Sequence, residues 1–223
     1  MITLGIVGGM GSGKSWVSEY LAHKGCCVFN ADEAARKILQ LPIINQQLRA
    51  RWLIDPYGFV TREGLPKVRV IRPFPDLVLS DGIARIVFNF VDELRFLEKI
   101  MAPHLDLELK TFLANLATDY IPIVIIDAPL LYEIGWDKLC HSVLFVDAPL
   151  ETRIKRIAER RNDSIENAQQ TIVAREANLV VSIAEKKSRA DYVILNDGVN
   201  DRFDVLFDEL KSLSCSLNPD NKY

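Results

Sequence analysis

Residues 8–16 read Gly8-Gly9-Met10-Gly11-Ser12-Gly13-Lys14-Ser15-Trp16, directly after the apolar run Ile2 to Val7. The spacing G-x-x-x-x-G-K-S, with a strand before it and a helix after it, describes a phosphate cradle. Glycines let the backbone turn its N–H groups toward phosphate oxygens, and a helix beginning near Lys14 adds the positive end of its dipole. Lys14 is placed to bridge β- and γ-phosphates, and the Ser15 hydroxyl to meet Mg2+. Gly8, Gly9, Gly11, Ser12, Gly13, Lys14, Ser15 and Trp16 are therefore the candidate contacts of a bound nucleotide. The flanking elements count against a merely Gly-rich turn.

Working outward, Ile2 to Val7 reads as a buried strand, and Val17, Tyr20 and Leu21 share a helical face that stops at Gly25. Cys26 to Phe29 is a second strand. Asp32 opens a charged helix, "DEAARKIL", and 43–54 is helical again. Prolines and glycines break 55–82 into short pieces, where local order is expected because structureless loops of that length are rare. Ile83 to Met101 reads as a helix, and Pro103 starts another with the stripe Leu105, Leu109, Phe112, Leu113 and Leu116. Strands return at Ile121–Ile126, ending in Asp127, and at Val143–Val146, ending in Asp147. A basic helix follows Pro149, a turn and cap lie at 162–164, and a polar helix spans about 165–187. Tyr192–Leu195 is the last strand, 202–213 a closing amphipathic helix and 214–223 a frayed tail.

Short apolar strands alternating with helices predict an α/β fold: a five-stranded parallel sheet in a three-layer P-loop NTPase or kinase sandwich. The expected core is 1–42 and 119–213. A helical insertion at 43–118 would lie at the carboxyl edge of the sheet, where ligands bind in such folds. A lid is expected at about 150–187.

The bulk composition narrows the function classes. A net charge of −3 over 223 residues gives no global attraction for nucleic acid or an acidic membrane. Cys26, Cys27, Cys140 and Cys215 form no C-x-x-C pair and no zinc spacing, so small buried residues in a reducing cytosol are expected. The strand at the start leaves no room for a signal peptide, and no apolar run approaches the ~20 residues needed to cross a bilayer. A cytoplasmic protein is the expectation.

A GTP switch would show an N-K-x-D motif, and none is present. The chain does carry a basic helix with Arg153, Lys155, Arg156, Arg160 and Arg161. Arg156 and Arg160 are four apart and share a face, which suits the oxygens of a triphosphate. Such a helix fits a lid closing over ATP, with a solvated basic face as the plainer alternative. Asp32, just beyond the second strand, could accept a proton from an attacking alcohol or could be the N-cap of its helix. Asp127 could help hold magnesium through water or could cap the turn that follows it.

Together these pieces resemble the dephospho-CoA kinase family. The matching stretches are "GIVGGMGSGKS" (5–15), "NADEAARKIL" (30–39), "ARIVFNFVDELRFLEKIMAP" (84–103), "IIDAPLLYEIG" (125–135), "VLFVDAPLETRIKRIAER" (143–160) and "ADYVILNDG" (190–198). The resemblance implies ATP-dependent phosphorylation of the ribose 3′-hydroxyl of dephospho-CoA, the last step of coenzyme A synthesis. It implies ATP and dephospho-CoA as small-molecule partners, Mg2+ as cofactor, no nucleic acid or membrane partner, and a monomer or weak oligomer. By the same resemblance Asp32 matches the base, Arg156 and Arg160 match lid arginines, and Asn196 lies in the loop that meets adenine. The 55–118 region would receive the acceptor.

The chain also departs from that pattern. Asn30-Ala31-Asp32 stands where the family usually has Asp-Ala-Asp, and Ala102-Pro103 where it has His-Pro. The Asp-Arg pair expected shortly before "IVF" is missing, and Trp16 replaces a small residue. Most departures fall in the acceptor half. They leave two alternatives: another small-molecule P-loop kinase, or an ATP-binding homologue without transferase activity.

Overall fold

The computed structural model describes residues 1–72, 78–87, 89–116, 123–177, 179–198 and 201–217, with the backbone alone for 215–217. It divides into two compact units, 1–31 with 112–223, and 32–111.

The first unit is built on a parallel sheet of five strands in the order β2-β3-β1-β4-β5: β1 Ile2–Val7, β2 Cys27–Asn30, β3 Ile123–Asp127, β4 Ser142–Asp147 and β5 Tyr192–Leu195. Of the stretch read as a strand from Ile121, residues 121 and 122 lie outside the described residues. β1 is buried at every position because β3 and β4 flank it and both faces are covered. One face carries Ile2, Leu4 and Ile6 against Val17 and Leu21 of α1 (Lys14–His23) and Phe203 of the closing helix. Each such side chain contributes roughly 1.5–3 kcal/mol relative to exposure. The other face is so close to the chain after β3 that a Cβ on Gly5 would lie 2.7 Å from Leu131 and 2.9 Å from Cys140. The edge strands β2 and β5 are only partly buried instead; Cys27 at the start of β2 is half-buried, and Cys26 just before it is buried. The Cys215 side chain lies outside the described residues.

After β1 the chain moves to β2 on the β3 side, and after β3 it crosses to β4 on the other side of β1. This reversal opens a crevice at the carboxyl end of β1, where the 8–15 loop emerges.

The second unit contains most of α2 (Ala31–Ile38), then α3 (Pro42–Trp52), α4 (Ser80–Val87) and most of α5 (Val91–Leu116). Its core joins Ile44, Leu48 and Trp52 to Ile83, Ile86, Leu97 and Met101. The local order expected within 55–82 is a set of antiparallel bridges, Ile54 to Val60, Phe59 to Arg69 and Ile71 to Val78. Residues 73–77 lie outside the described residues. Glu93 is buried and accepts both nitrogens of a forked pair from Arg51 (3.0 Å each), the indole N–H of Trp52 (2.7 Å) and a bond from Arg62 (3.3 Å).

Several boundaries differ from the sequence reading. Ile83 to Met101 is two helices, because the Asn89 side chain donates to the Arg85 carbonyl (2.8 Å) and closes α4. Pro103 does not start a helix but lies inside α5. It removes one intrahelical bond, while Leu97 and Met101 before it and Leu109 after it stay buried. The polar stretch 165–187 is also two helices, after α6 (Leu150–Arg161): α7 (Ile165–Ala177) and α8 (Ile183–Arg189). Ser182 caps α8 by accepting the Glu185 N–H (3.1 Å). The closing helix α9 (Asp201–Leu217) runs past the expected tail boundary, and 218–223 lie outside the described residues.

The Glu93 cluster predicts an acid-sensitive term in stability. Burial alone would raise its carboxyl, but the bonds from Arg51 and Trp52 and the charges of Arg51 and Arg62 hold it below its usual value. Its contribution is therefore full above the unfolded value of about 4.3 and is lost as pH falls through the lower folded value. Glu93→Ala should lower the unfolding free energy by about 3 kcal/mol at pH 7. Glu93→Gln should lose less and flatten the acid limb in urea titrations between pH 7 and pH 3. An unchanged acid limb would contradict this assignment.

Candidate nucleotide site

The 8–15 loop follows the carboxyl end of β1, and its chain turns on two left-handed glycines, Gly11 (φ 80°) and Gly13 (φ 93°). Gly13 is also the residue at which α1 begins. A Cβ there would stand 2.1 Å from the Asn196 side-chain nitrogen, so glycine is required by conformation and by space. The opening turn of α1 lies next to the loop, where backbone N–H groups and the positive end of the helix dipole suit an anion. Lys14 folds back, its ammonium donating to the carbonyls of Gly8 (3.0 Å) and Gly9 (3.4 Å). Ser12 is buried, and its hydroxyl has no hydrogen-bond partner among the described residues.

The loop is held from outside by residues far away in sequence. Arg156 of α6 donates to the carbonyls of Ser12 (3.1 Å) and Gly11 (3.4 Å), and its other terminal nitrogen to Asn196 (3.2 Å). Asn196 continues β5, its N–H bonded to the Asp147 carbonyl (2.8 Å), and its side-chain nitrogen donates to Ser12 (2.9 Å). Arg153 of α6 donates from Nε to the Met10 carbonyl (2.8 Å). The Met10 side chain packs on the apolar cluster of Ile154, Ile157, Ala158, Ala168 and Ile172 that joins α6 to α7.

The remaining candidates separate. Ser15 is exposed at the start of α1. Trp16 is 40% exposed, stacked on Tyr20 at 5.4 Å with its edge toward Phe203 at 5.7 Å. Asp127 is buried at the end of β3, in register with Ile6 of β1, and accepts the Ser18 hydroxyl of α1 (2.9 Å). Arg160 is exposed on α6, and no hydrogen bond from it to the loop is present among the described residues. Asp32 belongs to the second unit; it is the second residue of α2, exposed, and lies inside the helix rather than at its N-cap. Serine, carboxylate and phosphate oxygens are hard donors of the kind magnesium takes, so Ser15 and Asp127 suit that ion in type.

Three features were not read from the sequence. Glu176 of α7 bonds to Arg153 and accepts the Met10 N–H (3.3 Å). Asn196, expected in the loop that meets adenine, also braces the phosphate-loop backbone through its side chain. Lys186 is fully buried, forms an ion pair with Glu133 (2.7 Å) and donates to the Pro129 carbonyl (2.7 Å), which pins the "APLLYE" turn after Asp127. Within that turn burial pushes the Tyr132 phenol up to about 12. The capping pattern S-x-x-E at 182–185 was a usable signal for the start of α8 and hence for the placement of Lys186.

A model of the dephospho-CoA kinase family matches residues 2–67 and 77–201. The dephospho-CoA kinase of Latilactobacillus sakei is 30% identical over 205 residues, covering 89% of this chain and 89% of that one. A solved structure from Thermus thermophilus superposes with a TM-score of 0.67 at 27% identity, covering 95% of this chain and 97% of the other. The dephospho-CoA kinase of Campylobacter jejuni shares the fold, with a TM-score of 0.58 at 20% identity, covering 99% and 98%.

The loop geometry predicts that Gly13→Ala weakens ATP binding by roughly tenfold to a hundredfold, the cost of a strained left-handed residue plus a displaced Asn196. Isothermal titration with ATP, alongside a thermal melt to confirm folding, checks it. Wild-type affinity in a folded variant would contradict the close packing of loop and strand end.

Proposed function

This chain belongs to the dephospho-CoA kinase family, and from that premise we propose that it transfers the γ-phosphoryl group of ATP to the ribose 3′-hydroxyl of dephospho-CoA. The observation that carries the proposal is the braced 8–15 loop, with Lys14 folded back onto the Gly8 carbonyl and Arg156 against the Ser12 carbonyl. Backbone N–H groups at the start of α1 and the Lys14 ammonium would hold the phosphate tail. Mg2+, held by Ser15 and through water by Asp127, would supply charge neutralisation on the β- and γ-phosphate oxygens.

In the proposed reaction Asp32 takes the proton of the 3′-hydroxyl. The freed oxygen attacks the γ-phosphorus in line, the bond from that phosphorus to the bridging oxygen breaks, and ADP leaves with the electron pair. The exposed position of Asp32 on α2 supports this role, since the carboxylate is open to a substrate. Arg156 would neutralise charge on the transferred group, and Arg160 would join it if the α6–α7 pair moves onto bound nucleotide. Catalysis then rests on positioning and charge rather than covalent chemistry. The 32–111 unit would receive the acceptor. We place the protein in the cytoplasm as a monomer or weak oligomer; among the described residues no helix is long and apolar enough to cross a membrane.

A coupled assay of ADP release, with and without dephospho-CoA, tests the proposal. Dephospho-CoA should stimulate ADP release by the unaltered chain. Asp32→Asn should lower kcat by roughly 10²–10⁴-fold with little change in ATP affinity. Lys14→Ala should weaken ATP binding and turnover together. ATP binding without acceptor-stimulated turnover would overturn the transferase reading, and normal turnover by Asp32→Asn would overturn the base assignment.

A further inference from the structure

The proposed reaction leaves the ring of Trp16 unused. The chain has three tryptophans, at 16, 52 and 136. Trp52 and Trp136 are buried, whereas Trp16 is exposed in the first turn of α1, next to Ser15. Its ring is nevertheless held in place. Tyr20, one turn later on the same side of α1, stacks on it with the planes 16° apart. The Tyr20 hydroxyl in turn donates to Asp204 of α9 (2.5 Å), and Lys24 pairs with the same carboxylate (2.8 Å). Phe203, fully buried on α9, meets the indole on its other flank. Tyr20 lies toward the carboxyl end of α1, so the indole face it leaves uncovered is turned toward the start of the helix.

The beginning of α9 is also fastened to the phosphate loop. Arg202, next to Phe203, donates to the Leu195 carbonyl and to Asp197 (3.2 Å each). Asn196, between those two residues, donates to the Ser12 carbonyl (2.9 Å). Trp16 therefore stands where the loop, the first turn of α1 and the end of β5 meet.

A nucleotide in the loop has a direction. The lysine of such a loop reaches the β- and γ-phosphates, and backbone N–H groups cradle the α- and β-phosphates. Here Lys14 folds back to the carbonyls of Gly8 and Gly9, so the terminal-phosphate end of the cradle lies at the beginning of the loop. The α-phosphate then belongs at the other end, at the first turn of α1, and the sugar and base trail from it past residue 16.

Resting on the nucleotide site proposed above, we infer that Trp16 is a nucleoside-binding residue: its open indole face stacks on the base of the bound nucleotide. A rigid, exposed aromatic ring suits a flat heterocycle, and stacking uses only the face of the base. Trp16 thus acts on the nucleoside end of the ligand and leaves the grip on the phosphates to the loop.

Titration of the full chain with ATP, ADP and inorganic tripolyphosphate, read by calorimetry and by tryptophan fluorescence, tests this. ATP and ADP should quench the emission of the exposed indole, and tripolyphosphate should not. Trp16→Ala should weaken ATP and ADP alike, by roughly fivefold to a hundredfold, and leave tripolyphosphate within about twofold. Trp16→Phe keeps an aromatic face, so it should retain more ATP affinity than Trp16→Ala while losing the quenching. A thermal melt confirms folding; if Trp16→Ala does not fold, Trp16→Phe and the quenching of the unaltered chain carry the test. An unquenched indole in the ATP complex, ATP affinity unchanged in Trp16→Ala, or an equal loss for tripolyphosphate and ATP overturns the stacking alone. Failure of the unaltered chain to bind ATP overturns the nucleotide site itself, and the stacking with it.

Discussion

The Ser12 carbonyl receives two hydrogen bonds from outside its own loop, one from Arg156 on α6 and one from Asn196 at the end of β5. A glycine-rich loop has more backbone freedom to lose on folding than any other segment, so it needs an external frame to hold a binding geometry. Here the frame is the sheet itself. Asn196 is tied to β4 through the Asp147 carbonyl, and β4 is paired with β1, from which the loop departs. The phosphate cradle is thus closed into a ring of covalent chain and hydrogen bonds. Its geometry depends on strand order as much as on its own glycines.

That closure explains why the cradle can form before any nucleotide arrives. Carbonyls that would turn inward and repel phosphate are occupied: those of Gly8 and Gly9 by Lys14, and those of Met10, Gly11 and Ser12 by the two arginines and the asparagine. Of the loop's N–H groups, that of Met10 is taken by Glu176 and that of Ser12 by the Gly9 carbonyl (3.2 Å), so a phosphate would meet the later part of the loop and the start of α1. Arg156, proposed above to neutralise charge, also bonds the Gly11 and Ser12 carbonyls from outside. The α6–α7 pair is more intimately joined to the loop than a free lid would be, because Met10 is packed into its apolar cluster.

The parts of this arrangement that were legible in the sequence are the local ones. Residues 8–15 form one turn whose chemistry is written in eight consecutive positions, and the alternation of short apolar strands with helices gave the parallel sheet. The bracing was not legible, because Asn196, Arg153 and Glu176 reach the loop across well over a hundred residues of chain, and spacing carries no signal at that range. Pro103 misled for a different reason: a proline usually marks a helix start, but here burial of Leu97, Met101 and Leu109 along α5 outweighs one missing bond. Lys186 shows the same limit. A lysine in a charged run reads as solvated, yet it is fully buried against Glu133 and the Pro129 carbonyl.

The central claim is that the 8–15 loop is already in its nucleotide-holding form, fixed by contacts that a ligand does not need to create. A crystal structure with a non-hydrolysable ATP analogue and Mg2+ measures this directly. The account predicts the triphosphate within the loop, the loop backbone within about 1 Å of its ligand-free course, and the Ser12 carbonyl still bonded to Asn196. A triphosphate bound elsewhere, or a loop that must be rebuilt around it with Asn196 released, would contradict the account.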